Sequence, residues 1–291
     1  FMQGNSLGNP VLKPESTTEY EIGTDLRFLQ GRAALELSYY DKLSYDQIFS
    51  VPSTPSTGFS SITRNAGDLR NKGWEVSLQG VPLQTQDARW DVRMNWSKNT
   101  STVESLAPGV VSIYLAGYSW PNIQIMADEP YGVIWGNGFE RTDDGQVVID
   151  DDPTSSTYGW PVMDDELIVL GNTQPDWHGN LYSSFRYGPF TLSGLLSHQQ
   201  GGNIFDFTLN YTVGRGVHEW TGNRGTSFVY EGVKESNGQA NDIEILRDEN
   251  YFRNELGGYL RSENNVEGAT NTRLQELSLQ YQLPRSLLDK I

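Results

Sequence analysis

Three histidines, His178, His198 and His218, are the whole imidazole complement of the 291-residue chain, and there is no cysteine. They stand twenty residues apart with no i,i+4 pair, so no zinc site is predicted, and thiolate sites and disulfides are excluded. Nothing in the placement of Ser, His and Asp argues a nucleophilic triad, and the chain is not expected to be an enzyme. The acidic stretch ERTDDGQVVIDDD offers oxygen ligands instead. Set against a twelve-residue calcium loop starting at Glu140, it puts Asp144 and Gly145 at positions five and six and Asp151 at twelve, with Asp150 beside it. Position one is Glu and position three is Thr142, so a Ca²⁺ site through Asp144, Asp150 and Asp151 competes with a solvated acidic loop. Binding chemistry of another kind comes from aromatic residues set among polar ones: Tyr118, Trp120, Tyr158, Trp160, Trp220 and Tyr230. Their rings can stack on sugars or peptide side chains while Asp164 and Asp165 accept hydrogen bonds. The same rings serve equally well to pack loop on loop or against a partner.

The elements that position these residues read as strands. In TEYEIGTDLRF, Tyr20, Ile22, Leu26 and Phe28 share one face, against Glu19, Glu21, Asp25 and Arg27 on the other. That period of two predicts a strand rather than a helix. The pattern recurs with Ala33, Leu35, Leu37 and Tyr39, then with Trp74, Val76 and Leu78. It returns with Trp90, Val92, Met94 and Trp96, with Trp177, Leu181, Phe185 and Tyr187, and with Leu277, Leu279, Tyr281 and Leu283. Segments around Asn122–Ala127 and Gly132–Arg141 read as two further strands, giving about nine. Most approach the roughly 9–11 residues of a membrane-spanning strand.

Connections alternate between short and long. Gln30-Gly31, Val81–Ala88, Asp128–Tyr131 and Gly188-Pro189 are short. Tyr45–Arg70, Ser101–Tyr118, Thr142–Gln174 and Gly201–Asn271 are long. An up-and-down membrane barrel alternates in this way, with short periplasmic turns and long extracellular loops. The aromatic residues on the apolar face (Tyr20, Phe28, Tyr39, Trp74, Trp90, Trp96, Trp177, Phe185 and Tyr187) then face lipid or form its interfacial girdles. The polar face looks into a wet or plugged lumen, because unpaired buried charge is costly.

Bulk properties agree. Net charge is −16, from 21 basic and 37 acidic residues, which argues against a nucleic-acid partner. Hydrophobic residues make up 36%, and no apolar run approaches the roughly 18 residues of a membrane helix, which a barrel does not need. The opening FMQGNS lacks the basic and apolar regions of a signal peptide. LPRSLLDKI ends just past a strand, so the chain reads as a piece of something longer.

Several stretches together resemble one family. LGNPVLKPESTTEYEIGTDLRF, SYYDKLSYDQIF, NAGDLRNKGWEVSLQG, ADEPYGVIWG, VLGNTQPDWHGNLYSSFRYGPFTLSGLL, GGNIFD, YEGVKESNGQAN and RLQELSLQYQLPRSLL occur in order. They are similar to the C-terminal part of the barrel of SusC-like TonB-dependent outer-membrane transporters of Bacteroidota. The resemblance implies that residues 1–291 form part of a barrel of about 22 strands with a plugged lumen. It implies import of oligosaccharides or peptides, a SusD-like surface lipoprotein as lid, and drive from a TonB–ExbB–ExbD complex through an N-terminal part not in this chain. Outer-membrane lipid and lipopolysaccharide would surround it. The rivals are a siderophore- or cobalamin-type receptor with no SusD-like partner, and a soluble β-rich glycan-binding or adhesin module.

Overall fold

The computed structural model describes residues 6–117, 121–253 and 262–283. In chain order the strands are β1 (Ser6–Leu7), β2 (Ser16–Phe28), β3 (Ala33–Pro52), β4 (Ser61–Gln84), β5 (Ala88–Leu106), β6 (Ser112–Gly117), β7 (Asn122–Met126), β8 (Val133–Phe139), β9 (Val148–Ile149), β10 (Met163–Asn172), β11 (Trp177–Tyr187), β12 (Phe190–Gln200), β13 (Asn203–Phe205), β14 (Ser227–Val229), β15 (Val233–Lys234), β16 (Glu244–Leu246), β17 (Val266–Gly268) and β18 (Asn271–Tyr281). Two helices, α1 (Phe207–Gly214) and α2 (Glu249–Arg253), lie between β13 and β17.

Seven strands make one antiparallel sheet in the order β18-β12-β11-β5-β4-β3-β2, and β1 adds to β4 in parallel. Register turns the sequence alternation into continuous rows. Leu26, Leu35, Leu78, Met94, Leu181, Leu196 and Leu274 are successive cross-strand partners, so one apolar belt crosses all seven strands. The belt is uncovered: Leu26, Leu78, Met94, Leu181, Leu196 and Leu274 are all exposed, and Leu277 on the same face is 69% exposed. In water such a surface would be buried against another layer, since large contiguous apolar patches on soluble monomers are rare.

Aromatic rings bound the belt. Tyr39 and Trp74 lie with centroids 4.8 Å apart at one end, and Phe190 and Tyr281 4.9 Å apart at the other. Trp90, between them, donates through its indole nitrogen to Ser183 at 2.9 Å. All nine aromatic residues expected to face lipid share this face by register. Strand β11 has 11 residues, about 36 Å along its axis at roughly 3.3 Å per residue. At the tilt near 45° of a membrane barrel strand that length would project to about 25 Å, the height of an outer-membrane apolar band. Just past the Tyr39–Trp74 row the same face turns charged. There Arg70 forks onto Asp41 with bonds of 2.9 and 2.7 Å, and Lys72 stands 3.8 Å from the same carboxylate.

The sheet corrects three expectations. First, seven strands rather than about nine form it. The segments near Asn122–Ala127 and Gly132–Arg141 are strands, but β7 and β8 belong to a separate sheet, β10-β8-β7-β6, while β5 pairs directly with β11. The Asp128–Tyr131 turn is therefore internal to one long insertion. Second, Tyr45–Arg70 and much of Ser101–Tyr118 are not loops. Strands β3, β4 and β5 run 20, 24 and 19 residues, well beyond a bilayer's needs, and only residues 53–60 connect β3 to β4. The extension persists because it has a core of its own: Val51, Ala66, Val103, Ile113 and Ile125 are buried where it meets the small sheet. Third, His198, whose polar ring the sequence suits to the lumen or a loop, faces outward, its ring 4.8 Å from Trp177 and its Nδ1 2.7 Å from the Thr272 hydroxyl. Alternation of short and long survives: residues 29–32, 85–87 and 188–189 turn at one end, and 53–60, 107–176 and 201–270 connect at the other.

Candidate functional site

Two surfaces carry polar chemistry: the inner face of the sheet, and the body built by the two long insertions. On the inner face, Gly23, Ser38, Glu75, Ser97 and His178 form one cross-strand row. Asp25, Glu36, Ser77, Asn95 and Asn180 form the next. A hollow of about 560 Å³ lies over these two rows. Carboxylates lie toward β2–β4, whereas arginines gather on β5 and β11. There Arg89 binds Asp91 at 2.8 Å and opposes Arg186 across the strand pair. Such a wall offers acceptors, amides and cations to a hydrated passage, and its polar groups are incompatible with lipid.

One inner-face contact depends on glycine. The Tyr40 side chain lies across Gly73 to donate to Asn99 Oδ1 at 3.0 Å. A Cβ on Gly73 would sit 2.3 Å from the Tyr40 hydroxyl oxygen, so only glycine lets the ring cross β4.

The insertions 107–176 and 201–270 meet at the long-connection end. Strand β9 pairs in parallel with β15, Val148 to Val233 and Ile149 to Lys234. The Asp151 carboxylate accepts from Ser236 through both its backbone N–H, at 3.0 Å, and its hydroxyl. Glu263 accepts from the Phe139 N–H at 2.8 Å and pairs with Arg141. Asn203 accepts from the Asn172 N–H at 3.1 Å. Trp160, 7% exposed, anchors a small core with Ile243, Ile245, Phe228 and Tyr230. Burial pushes the Tyr230 phenol well above its usual range.

This packing reassigns part of the aromatic set. Trp160 and Tyr230, expected as ligand- or lid-contacting residues, are core residues of the insertion body, because an indole and a phenol between two isoleucines gain more from burial than from water. Tyr158 and Trp220 are exposed, and Trp220 stands edge-on to His218 at 5.2 Å. Asp164 and Asp165 lie at the bulged start of β10, where Asp164 accepts from the Glu166 N–H at 3.0 Å. Tyr118 and Trp120 are outside the described residues. The stretch GNSLG (4–8) has the spacing of a nucleophile elbow, but Ser6 sits on β1 and the next element is strand β2, not a helix.

The acidic stretch does not assemble a cage. Asp144 accepts from Thr142 and from Gln146, at 2.7 Å for the latter, and these bonds hold its carboxyl below the usual range. Asp150 accepts from Thr157 at 2.6 Å and from the Asp152 N–H at 3.0 Å. The Ser236 hydroxyl likewise holds Asp151 low. Each carboxylate has its own protein donors, and among the described residues no three acidic or imidazole groups converge as a metal site.

The rows on the inner face were not legible as a site beforehand. Period two tells which residues share a strand face, but only register tells that Glu36, Asn95, Asn180 and His178 gather over one hollow.

Residues 2–261 match the family model described as TonB dependent receptor-like, beta-barrel. The TonB-dependent receptor P26 of Formosa agariphila is 28% identical over 232 residues, covering 73% of this chain and 23% of that protein. The TonB-dependent receptor SusC of Bacteroides thetaiotaomicron is 35% identical over 107 residues, 36% of this chain and 11% of that protein. The RagAB peptide transporter structure superposes with a TM-score of 0.66 at 19% identity, over 97% of this chain and 30% of that one. The chain thus spans less than a quarter of the length of these sequence relatives, and the structural likeness is one of fold.

Proposed function

Because the chain belongs to the family of TonB-dependent receptor-like β-barrels, we propose that it is the C-terminal part of the barrel of a SusC-like importer in the bacterial outer membrane. In this reading, oligosaccharides or peptides enter from the end bearing the long insertions, which face outside the cell. A SusD-like surface lipoprotein closes over that end, and a TonB–ExbB–ExbD complex supplies the drive through a part of the protein beyond this chain. The protein moves its ligand without covalent change.

The observation that carries the reading is the seven-strand apolar belt, uncovered on one face and backed by a polar wall on the other. A lipid-facing barrel wall requires both. A soluble glycan-binding module would cover the belt, and among the described residues no layer does. The likeness to SusC and to RagAB favours an importer with a lipoprotein partner over a siderophore- or cobalamin-type receptor.

The test is to solubilise native membranes in detergent, isolate the complex that contains this sequence, and weigh its components by mass spectrometry. A polypeptide far heavier than 32.7 kDa with a co-purifying lipoprotein is expected. A heavy polypeptide alone would favour the siderophore-type reading, and a soluble 32.7 kDa species would refute the membrane assignment.

A further inference from the structure

The chain carries an excess of acid, 37 acidic against 21 basic residues, yet one cleft reverses the sign. At the C-terminal end of α1, Arg215, Arg224 and Arg253 ring a cavity of about 360 Å³ whose floor includes the buried side chains Val213 and Phe252. Glu249 is the single carboxylate among the described residues on its lining, and it is engaged by Arg253. No carboxylate of the described residues lies within ion-pair distance of Arg215 or Arg224.

The ordinary reason for cations at a helix C-terminus is to satisfy its last carbonyls. Here backbone donors already do so: the N–H groups of Arg215, Gly216 and Val217 bond the carbonyls of Tyr211, Val213 and Thr212 at 3.1, 2.9 and 3.1 Å. The guanidinium groups are left for other work. Arg215 is held in place by the Tyr211 ring, 4.9 Å below it, and donates to that residue's hydroxyl at 3.2 Å, which leaves further N–H groups free of that bond. Gly216 makes room for Arg224. Its φ is +71°, and a Cβ there would lie 3.1 Å from an Arg224 terminal nitrogen.

We propose that this cleft binds an oxyanion, a carboxylate, sulfate or phosphate group, between Arg215 and Arg224, with Arg253 shared between the ligand and Glu249. Planar guanidinium forks beside an apolar floor suit such a group, because each fork offers paired charge-assisted bonds to its oxygens. The group would come from a soluble anionic ligand or from lipopolysaccharide phosphates. The proposal does not depend on the import reading.

The test uses the full-length protein in detergent, freed of lipopolysaccharide, with inorganic phosphate as probe. Phenylglyoxal modification of each arginine is followed by peptide mass spectrometry. Phosphate is expected to protect Arg215 and Arg224 and to leave Arg247, which sits over the Phe228 ring outside the cleft, unprotected. The Arg224→Gln variant should raise the half-protecting concentration at Arg215 about tenfold, the value of one charge-assisted hydrogen bond. Glu249→Gln should lower it, because it frees Arg253, whereas a merely structural cluster would loosen in both variants. Repeating the protection with a heparin-derived sulfated tetrasaccharide and, separately, with lipopolysaccharide micelles identifies the source. Equal protection of Arg247, or weaker protection in Glu249→Gln, overturns the proposal.

Discussion

Tyr40 and Trp160 show how much a single side chain's meaning depends on its neighbours. Both look like exposed aromatics, one on a strand and one in a loop. The first spans Gly73 to reach Asn99, and the second closes the core of the insertion body. Gly73→Ala forces a methyl into the Tyr40 ring, so a loss of about 1–3 kcal/mol is expected from overpacking. The resistance of the folded protein to urea in detergent reads this, and Tyr40→Ala in the same background should restore part of the loss. Trp160→Ala removes the anchor of a local core, with a cost of about 3–5 kcal/mol if the site does not collapse. Hydrogen exchange should then accelerate around residues 148–160 and 243–245 while β11 and β12 stay protected. Uniform acceleration through the sheet would mean that the insertion body and the sheet unfold as one unit.

At the scale of the element, the two faces of a strand are different solvents. Leu279 points to the belt side and Ser278 to the inner side of the same strand β18, paired with Leu192 and Ser193 respectively. Leu279→Arg places a cation in hydrocarbon one row inside the Phe190–Tyr281 rim, at a cost between the roughly 0–1 kcal/mol of the interface and the roughly 2–4 kcal/mol of the bilayer midplane, whereas Ser278→Arg meets the polar wall and is nearly neutral. Equilibrium unfolding in lipid vesicles distinguishes them. Equal costs at both positions would contradict the assignment of faces. Strands β2 and β18 are the open rims of the sheet: each exposes nearly all of its residues on both faces and, among the described residues, has a strand neighbour on one side only.

For the whole molecule, the two insertions are tied to each other through carboxylates. Asp151 is lowered by its bond from Ser236 of the other insertion, Glu263 pairs with Arg141 across the same junction, and within the second insertion Asp242 is lowered by Lys234 at 2.6 Å. A carboxyl whose folded value lies below its unfolded value stabilises the folded form fully above the unfolded value, here 3.8, and that contribution disappears as pH falls through the folded value. The insertion body should therefore loosen below about pH 4 before the sheet does, because the sheet, although Arg70–Asp41 and Arg89–Asp91 also pair on it, is held mainly by backbone ladders that do not titrate. Pepsin digestion at pH 3 is expected to cut within 142–160 or 230–243 and to spare the strands, with Asp151→Asn and Ser236→Ala cut faster at pH 4. Cleavage that begins in β11 or β12 would contradict this order.

What the sequence alone determined was the class of fold and which residues of each strand share the apolar face. Alternation is a local property, written two residues at a time, and the apolar positions of TEYEIGTDLRF, RWDVRMNWS and WHGNLYSSFRY all reappear on one face of one sheet. The stretches that carry the family resemblance are likewise local. Tertiary structure decided what local pattern cannot express. Only partner choice shows that Asn122–Met126 pairs within the insertion rather than in the barrel wall, since β5 and β11 find each other across 70 intervening residues. Only packing distinguishes the buried Trp160 from the exposed Trp220, because both stand in polar loops with no period. Only the packing of α1 on α2 through Leu209, Val213 and Phe252 brings Arg215, Arg224 and Arg253 around one cleft. Faces follow from neighbours in sequence; rows, cores and clefts follow from contacts between residues far apart in the chain.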